Sequence, residues 1–481
     1  MPKTSSPAQV NSRLLIFVLG LACANYAMML GAITPALPQF EREFNATINA
    51  TSWIVTAMLL SAAVSAPVIG KLGENYGKKR VLIITMLVFA AGTAVSALAP
   101  NLETMILGRV LQGVGGGLFP LSFSIVRDIL PRERIAGAIG SLSATFGIGG
   151  GFGMVGAGLV VRYLDSSFLF WIPLIAMVAA MVMLQRFLPT DNDAHPPASI
   201  NWAGAILLSL ALASVLVTIS QGRTWGWGSA RTLGLFLVAI VSGIFWVRSE
   251  LRATEPLISI PIMRLRGVWT SNLVGLLTGL GNFGAFFLAS QLLQLPESTG
   301  IGFGYDALQA GVVMLPAALL ILIVGLSIGR LEHRFGARSL NIAGALIATI
   351  GFSFLAIAHE QLWQIVLGMF MLGTGIGLVF AAIAGVVVLA VPREHVGPAS
   401  GMNTVLRTLG SSIGASMTGA LLASSAAETG YPTEQAFTLA FWIVAGAVFL
   451  GTIASTLIPK PKREQLAETA IVGSAVSVEG K

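Results

Sequence analysis

Apolar residues gather into fourteen windows of about twenty along this chain, at 14–37, 52–70, 80–99, 104–126, 135–161, 167–186, 201–220, 231–248, 268–294, 306–328, 338–358, 362–391, 396–424 and 436–458. A helix needs about 20 predominantly apolar residues to cross the hydrocarbon core of a bilayer. The pattern predicts an all-α polytopic membrane protein with 14 transmembrane helices, and an even number of crossings puts both termini on one side. The first window follows a 13-residue polar start and ends in charged sequence rather than in an A-x-A cleavage site, so it reads as a retained span.

Composition supports the bilayer reading, since 55% of the 481 residues are hydrophobic and 10% are charged, whereas soluble proteins carry charge on about a quarter of their residues. The 28 lysines and arginines segregate by side. With the N-terminus taken as cytoplasmic, 22 lie in the tails and inner loops, Arg42, Arg162, Arg223 and Arg231 lie outside, and Arg109 and Arg407 lie within spans. Over short loops this bias sets orientation, so both termini are expected in the cytoplasm of a bacterial-type inner membrane. In that setting the net charge of +7 speaks of topology and of membrane lipids, with no nucleic acid implied. The single cysteine, Cys23, and four histidines without ligand spacing leave no disulfide, metal or cofactor site. The pattern G-x-S-x-G falls only within or at the end of apolar windows, at Gly325 to Gly329 and Gly410 to Gly414, with no buried His/carboxylate pair, and no phosphate loop is present, which argues against an enzyme. No obligate protein partner is evident.

The sequence also repeats itself. Gly70-Lys71-Leu72 with Gly77 recurs as Gly329-Arg330-Leu331 with Gly336; Gly108, Gly113, Gly115 and Gly117 recur as Gly368, Gly373, Gly375 and Gly377; Pro131-Arg132-Glu133-Arg134 recurs as Pro392-Arg393-Glu394-His395. A nearly constant offset implies two homologous six-helix bundles, at 14–190 and 251–458. Two inserted helices fall in 191–250, and cytoplasmic tails occupy 1–13 and 459–481. Paired bundles of this kind are the frame of alternating-access transporters, whose substrate sites lie at the interface near the midplane.

Gly70-Lys71-Leu72-Gly73-Glu74-Asn75-Tyr76-Gly77-Lys78-Lys79-Arg80 reads as a tight inter-helix turn with basic residues toward the cytoplasmic leaflet. It resembles the loop signature of the major facilitator superfamily. Thr51 to Ala57, Arg109-Val110-Leu111-Gln112-Gly113, Trp225 to Ser229 and Glu255-Pro256-Leu257 look like the fourteen-span drug/proton antiporter family. The resemblance implies multidrug efflux by a secondary transporter. It also implies a gating network of Gly70, Glu74, Gly77, Lys78 and Asp128, with Glu74 standing where the family usually has Asp. Gly147, Gly151 and Gly156 match a small-residue helix-packing motif of the antiporters, but Phe152 and Val155 replace its proline and one glycine.

Spans 1, 4, 9 and 12 are expected to line a central cavity. They offer Asn25, Tyr26, Met28, Met29, Arg109, Gln112, Asn282, Phe283, Phe286, Phe287 and Gln291, a set of amides, methionines and aromatic rings able to repack around varied amphiphiles. Arg109 is open to a second reading, as a strut bonded to backbone carbonyls. Asn403 and Arg407 share one helix face as further intramembrane polar groups. None of the 21 carboxylates falls mid-membrane, and the acid the family places in span 1 is replaced by Met28 and Met29. Proton coupling is therefore expected through peripheral groups, Asp128, Asp306 or Glu297, and the substrate is expected to be a lipophilic neutral or anionic molecule in preference to a permanent cation. A lipid or metabolite exporter without proton coupling, and a membrane sensor or scaffold without flux, are the alternatives. The inserted spans are expected to pack peripherally and to contribute no substrate contacts.

Overall fold

The computed structural model describes residues 12–188 and 200–459. Most of the N-terminal tail, residues 189–199 and the tail from 460 onward lie outside the described residues. The described chain is helical, in the order α1 Ser12–Glu43, α2 Ile48–Tyr76, α3 Lys78–Ala97, α4 Leu102–Gly113, α5 Leu118–Ile129, α6 Arg132–Tyr163, α7 Phe168–Phe187, α8 Trp202–Trp225, α9 Ala230–Arg252, α10 Ile260–Met263, α11 Arg266–Gln294, α12 Ala307–Phe335, α13 Ala337–Ile357, α14 Leu362–Ala390, α15 Val396–Thr429 and α16 Glu434–Ser455.

Local sequence explains many of the ends. Asn101, Asn201, Ser229 and Thr433 accept backbone N–H bonds as N-caps, and Asp306 forms a reciprocal capping box with Gln309. Gly77 and Gly336, partners in the repeat, are the single residues joining α2 to α3 and α12 to α13. Each has a positive φ, 93° and 77°, which a residue with a Cβ rarely adopts.

Twelve of the helices are long and apolar enough to cross a membrane. By length and composition the described residues thus supply twelve of the expected fourteen, because windows 104–126 and 396–424 do not qualify. The first is split into α4 and α5 by a 3-10 turn, Val114–Gly117, whose glycines bring it against α2 and α3. The second, α15, is one unbroken helix of 34 residues, but its many serines, threonines and glycines and the polar Asn403 and Arg407 lower its hydropathy.

Helices α1–α7 surround one hydrophobic core, with Leu19, Phe40, Phe89 and Phe170 at its centre, and α11–α16 surround another, around Phe352, Phe437 and Phe441. These two sets are called the N-terminal and C-terminal halves below. They meet along two seams, α6 on α12 and α2 on α15. The pair α8–α9 lies outside both halves. α9 is mostly exposed, but α8 covers the α2–α15 seam: Ala205, Leu208 and Leu212 pack with Val68 of α2 and Val405 of α15, and Thr56 and Ser220 share a hydrogen bond of 3.1 Å.

Candidate functional site

The two seams are built from small residues, and the repeat relates them. Along α6, Gly140, Gly147, Gly151 and Gly158, spaced one or two turns apart on one face, meet Ile328, Ile321, Ala318 and Leu308 of α12. Removing side chains is what lets membrane helices approach closely. Gly147 and Gly151 of the expected packing motif therefore face the other half, while Gly156 turns toward Met28 of α1. Phe152 is exposed, and α6 runs unbroken, as expected without the proline.

At the end of the molecule that carries Lys78, Arg127, Arg132 and Arg330, here called the basic end, the halves touch backbone to backbone. A Cβ on Gly70 would lie 2.5 Å from the carbonyl carbon of Gly397, and one on Gly329 would lie 2.8 Å from the Cα of Gly137. Gly70 with Gly329, and Gly137 with Gly397, are repeat partners, so one contact has been made twice. Gly137 and Gly397 escaped the sequence reading, although their 260-residue separation follows the repeat offset.

The expected gating residues converge here. Glu74 Oε1 accepts the backbone N–H of Gly397 at 3.0 Å, a hydrogen bond between halves. Lys78 forms an ion pair with Asp128 inside the N-terminal half, and Lys71 pairs with Glu255 at 3.7 Å, tying the segment before α10 to α2. The second Glu74 oxygen is buried without a partner. Of the expected proton-coupling groups, Asp128 lies in this cluster, whereas Asp306 lies at the opposite end, where it caps α12 and pairs with Arg162 of α6 at 3.3 Å. Glu297 begins a 3-10 turn before α12, also at that end.

The expected cavity residues separate into two groups. Asn25, Tyr26, Met29, Arg109 and Gln112 are enclosed within the N-terminal half. Arg109 is completely buried: Nε donates to the Ile54 carbonyl at 2.9 Å, Nη2 to the Met29 carbonyl at 3.4 Å, and Nη1 to Gln112 Oε1. It thereby ties α1, α2 and α4 together, the strut geometry. Such bonds offset the roughly 2.5–3.5 kcal/mol that insertion scales assign to a mid-membrane arginine. Asn25 is likewise committed, donating to the Pro173 carbonyl of α7 at 2.8 Å. Met28, Asn282, Phe283, Phe286 and Phe287 are half-buried and Gln291 is exposed. Phe283 and Phe287 stack at 6.3 Å, and Phe287 lies beside Gly419 of α15.

Arg407 is placed differently. It lies eleven residues into α15, about 16 Å from that helix's basic end, and is 8% exposed. Its guanidinium carbon sits 4.2 Å from the ring centroid of Phe380 in α14 and 5.0 Å from that of Phe146 in α6. One ring comes from each half. Phe146 continues through Phe119 to Tyr26, with centroids 5.5 and 6.4 Å apart, so an aromatic path leads from Arg407 into the N-terminal core. Gly275 lies against the Arg407 stem, and Asn403 donates to Asn272 at 3.0 Å, which fixes this face of α15 on α11. Phe146 and Phe380 were not singled out in the sequence, where they look like any other phenylalanine of an apolar span.

Known proteins share this frame. The chain is 26% identical over 426 residues to the multidrug transporter protein MdtP of Bacillus subtilis (strain 168), covering 87% of this chain and 77% of that protein. It is 27% identical over 397 residues to the tetracenomycin C resistance and export protein of Streptomyces glaucescens, covering 81% and 72%. Among solved structures, the human organic anion transporter MFSD10 aligns with a TM-score of 0.70 at 16% identity, covering 92% of this chain and 99% of that one, and the proton:xylose symporter XylE with 0.64 at 14%, covering 93% and 96%. These two likenesses concern the fold alone. The profile of the Major Facilitator Superfamily matches residues 18–415, and with that match the chain belongs to this superfamily and is a multi-pass membrane transporter.

Proposed function

We propose that the protein is a secondary exporter of lipophilic and amphiphilic small molecules, a proton-coupled multidrug pump of the fourteen-span drug/proton antiporter type. The observation that carries this reading is the pair of repeat-related seams closed at the basic end by Gly70 with Gly397 and Gly137 with Gly329. Two halves joined by small-residue contacts can part at one end and close at the other, as alternating access requires. The relatives named as drug exporters support the direction and the substrate class. α5 is buried along most of its length and α15 packs against α2, α5 and α11, so the broken or polar character of α4 with α5, and of α15, does not prevent them from crossing, giving fourteen crossings. Lysine and arginine crowd the basic end, which we place in the cytoplasm of the inner membrane together with both termini.

In this scheme Glu74, Lys78 and Asp128 hold the cytoplasmic gate, with Gly70 and Gly77 shaping its turn, and the substrate passes Met28, Asn282, Phe283, Phe286, Phe287 and Gln291. Protons enter through the carboxylates at the two mouths, Asp128, Asp306 and Glu297. Neutral and anionic substrates are favoured over permanent cations. The test is flux in liposomes holding the purified protein, with a neutral drug and an imposed pH gradient. Uphill drug movement that stops when a protonophore collapses the gradient supports the reading. Flux indifferent to the gradient sinks the coupling, and no flux sinks the export function.

A further inference from the structure

We propose that Arg407, held between Phe146 and Phe380, is the recognition site for an organic monoanion, a lipophilic molecule bearing one carboxylate. The proposal rests on the export reading and narrows its substrate class.

Two arginines lie within the membrane, and their circumstances differ. Arg109 spends its donors on Ile54, Met29 and Gln112. Among the described residues no hydrogen bond or ion pair engages the Arg407 guanidinium, and its Nε is buried without a partner. A guanidinium carries five N–H donors in a planar fork that matches a carboxylate. The rings above and below take up part of the charge through their π faces, but they accept none of those hydrogen bonds. A cation fixed mid-membrane with unspent donors calls for an anion that arrives from elsewhere.

The surroundings define what that anion carries. Phe146, Phe380 and, through Phe119, Tyr26 are apolar or aromatic, so the remainder of the ligand is lipophilic. Among the described residues Tyr26 is the titratable group in electrostatic reach of Arg407, and no carboxylate stands there to neutralise the guanidinium first. Phe146 belongs to one half and Phe380 to the other, so the site is complete only while the halves are together on this side. Binding is thereby coupled to the rocking that transport needs.

Equilibrium binding of 2-naphthoate and of its neutral isostere 2-naphthamide to the purified full chain tests this by calorimetry. Wild type is expected to bind the acid at least tenfold more tightly than the amide. Arg407→Gln is expected to abolish that preference while leaving amide affinity within twofold, and Arg407→Lys, which keeps the charge and loses the fork, to retain part of it. Equal affinity of wild type for the two probes, or no binding of 2-naphthoate, overturns the proposal without recourse to any variant. The export reading is judged separately by liposome flux. Acid preference without flux keeps the site and removes the exporter, and flux without acid preference does the reverse.

Discussion

Gly70 and Gly397 meet with so little room that a Cβ on the first would fall 2.5 Å from the carbonyl carbon of the second. They come from α2 and α15, helices of different halves, and the Glu74 carboxylate clasps the Gly397 N–H one turn beyond. The closed state at this end therefore depends on the absence of two side chains.

Alanine substitution separates close approach from mere proximity. Gly70→Ala and Gly329→Ala place a methyl where backbone already stands, and both are expected to lower transport at least tenfold with normal membrane insertion. Gly137→Ala places its Cβ 3.6 Å from the Gly329 Cα, an ordinary contact, and is expected to remain within about twofold of wild type. Flux measured at matched protein levels checks the contrast; equal losses in all three variants would contradict it.

Glu74→Gln keeps an oxygen able to accept from Gly397 but removes a carboxyl group able to ionise near Lys78, and Asp128→Asn removes the partner of the Lys78 ammonium. Both variants are expected to insert and fold normally, because these groups sit at a helix end, yet to transport more slowly. Wild-type rates in both would reduce the loop to a topology signal.

The two intramembrane arginines are expected to respond oppositely. Arg109→Ala strands the Ile54 and Met29 carbonyls and Gln112; at about 1.5–3 kcal/mol for a hydrogen bond to a charged group, it is expected to lower the melting temperature of the detergent-solubilised protein by many degrees. Arg407→Ala breaks no such bond and is expected to shift melting far less. Thermal unfolding of the two variants side by side provides the comparison, and a larger loss for Arg407→Ala would mean that its ring contacts serve the fold first.

The repeat and its offsets were legible in the sequence because they are local patterns, and they foretold which loops would be alike. Which glycine would meet which was not written in either half alone: Gly397 resembles any small residue at a helix start until α2 is packed against it. Arg109 was visible as a costly charge, but its partners are backbone carbonyls, which every sequence possesses. The window at 104–126 reads as an ordinary span, since hydropathy does not register a glycine run tightening into a 3-10 turn, whereas the one at 396–424 is a continuous helix whose polar residues leave it below the hydropathy of the other spans. The inserted pair was expected to stay peripheral, and α9 does. α8 lies over the α2–α15 seam, against both bundles, because Ala205, Leu208 and Leu212 find apolar partners there.

A photoreactive substrate analogue is expected to label α11, at Phe283, Phe286 or Phe287, and to leave 231–248 unlabelled. Peptide mapping after illumination reads this directly, and adducts concentrated in α9 would place the pathway outside the two halves.

The central claim is that the halves part at the basic end during transport. Spin labels at Tyr76 and Glu394, exposed positions in different halves, report that separation in lipid by pulsed electron resonance. The account predicts one short distance in the resting state and a second, longer population when a transported drug and a proton gradient are supplied. A single unchanged distance under conditions where flux is measured would contradict it.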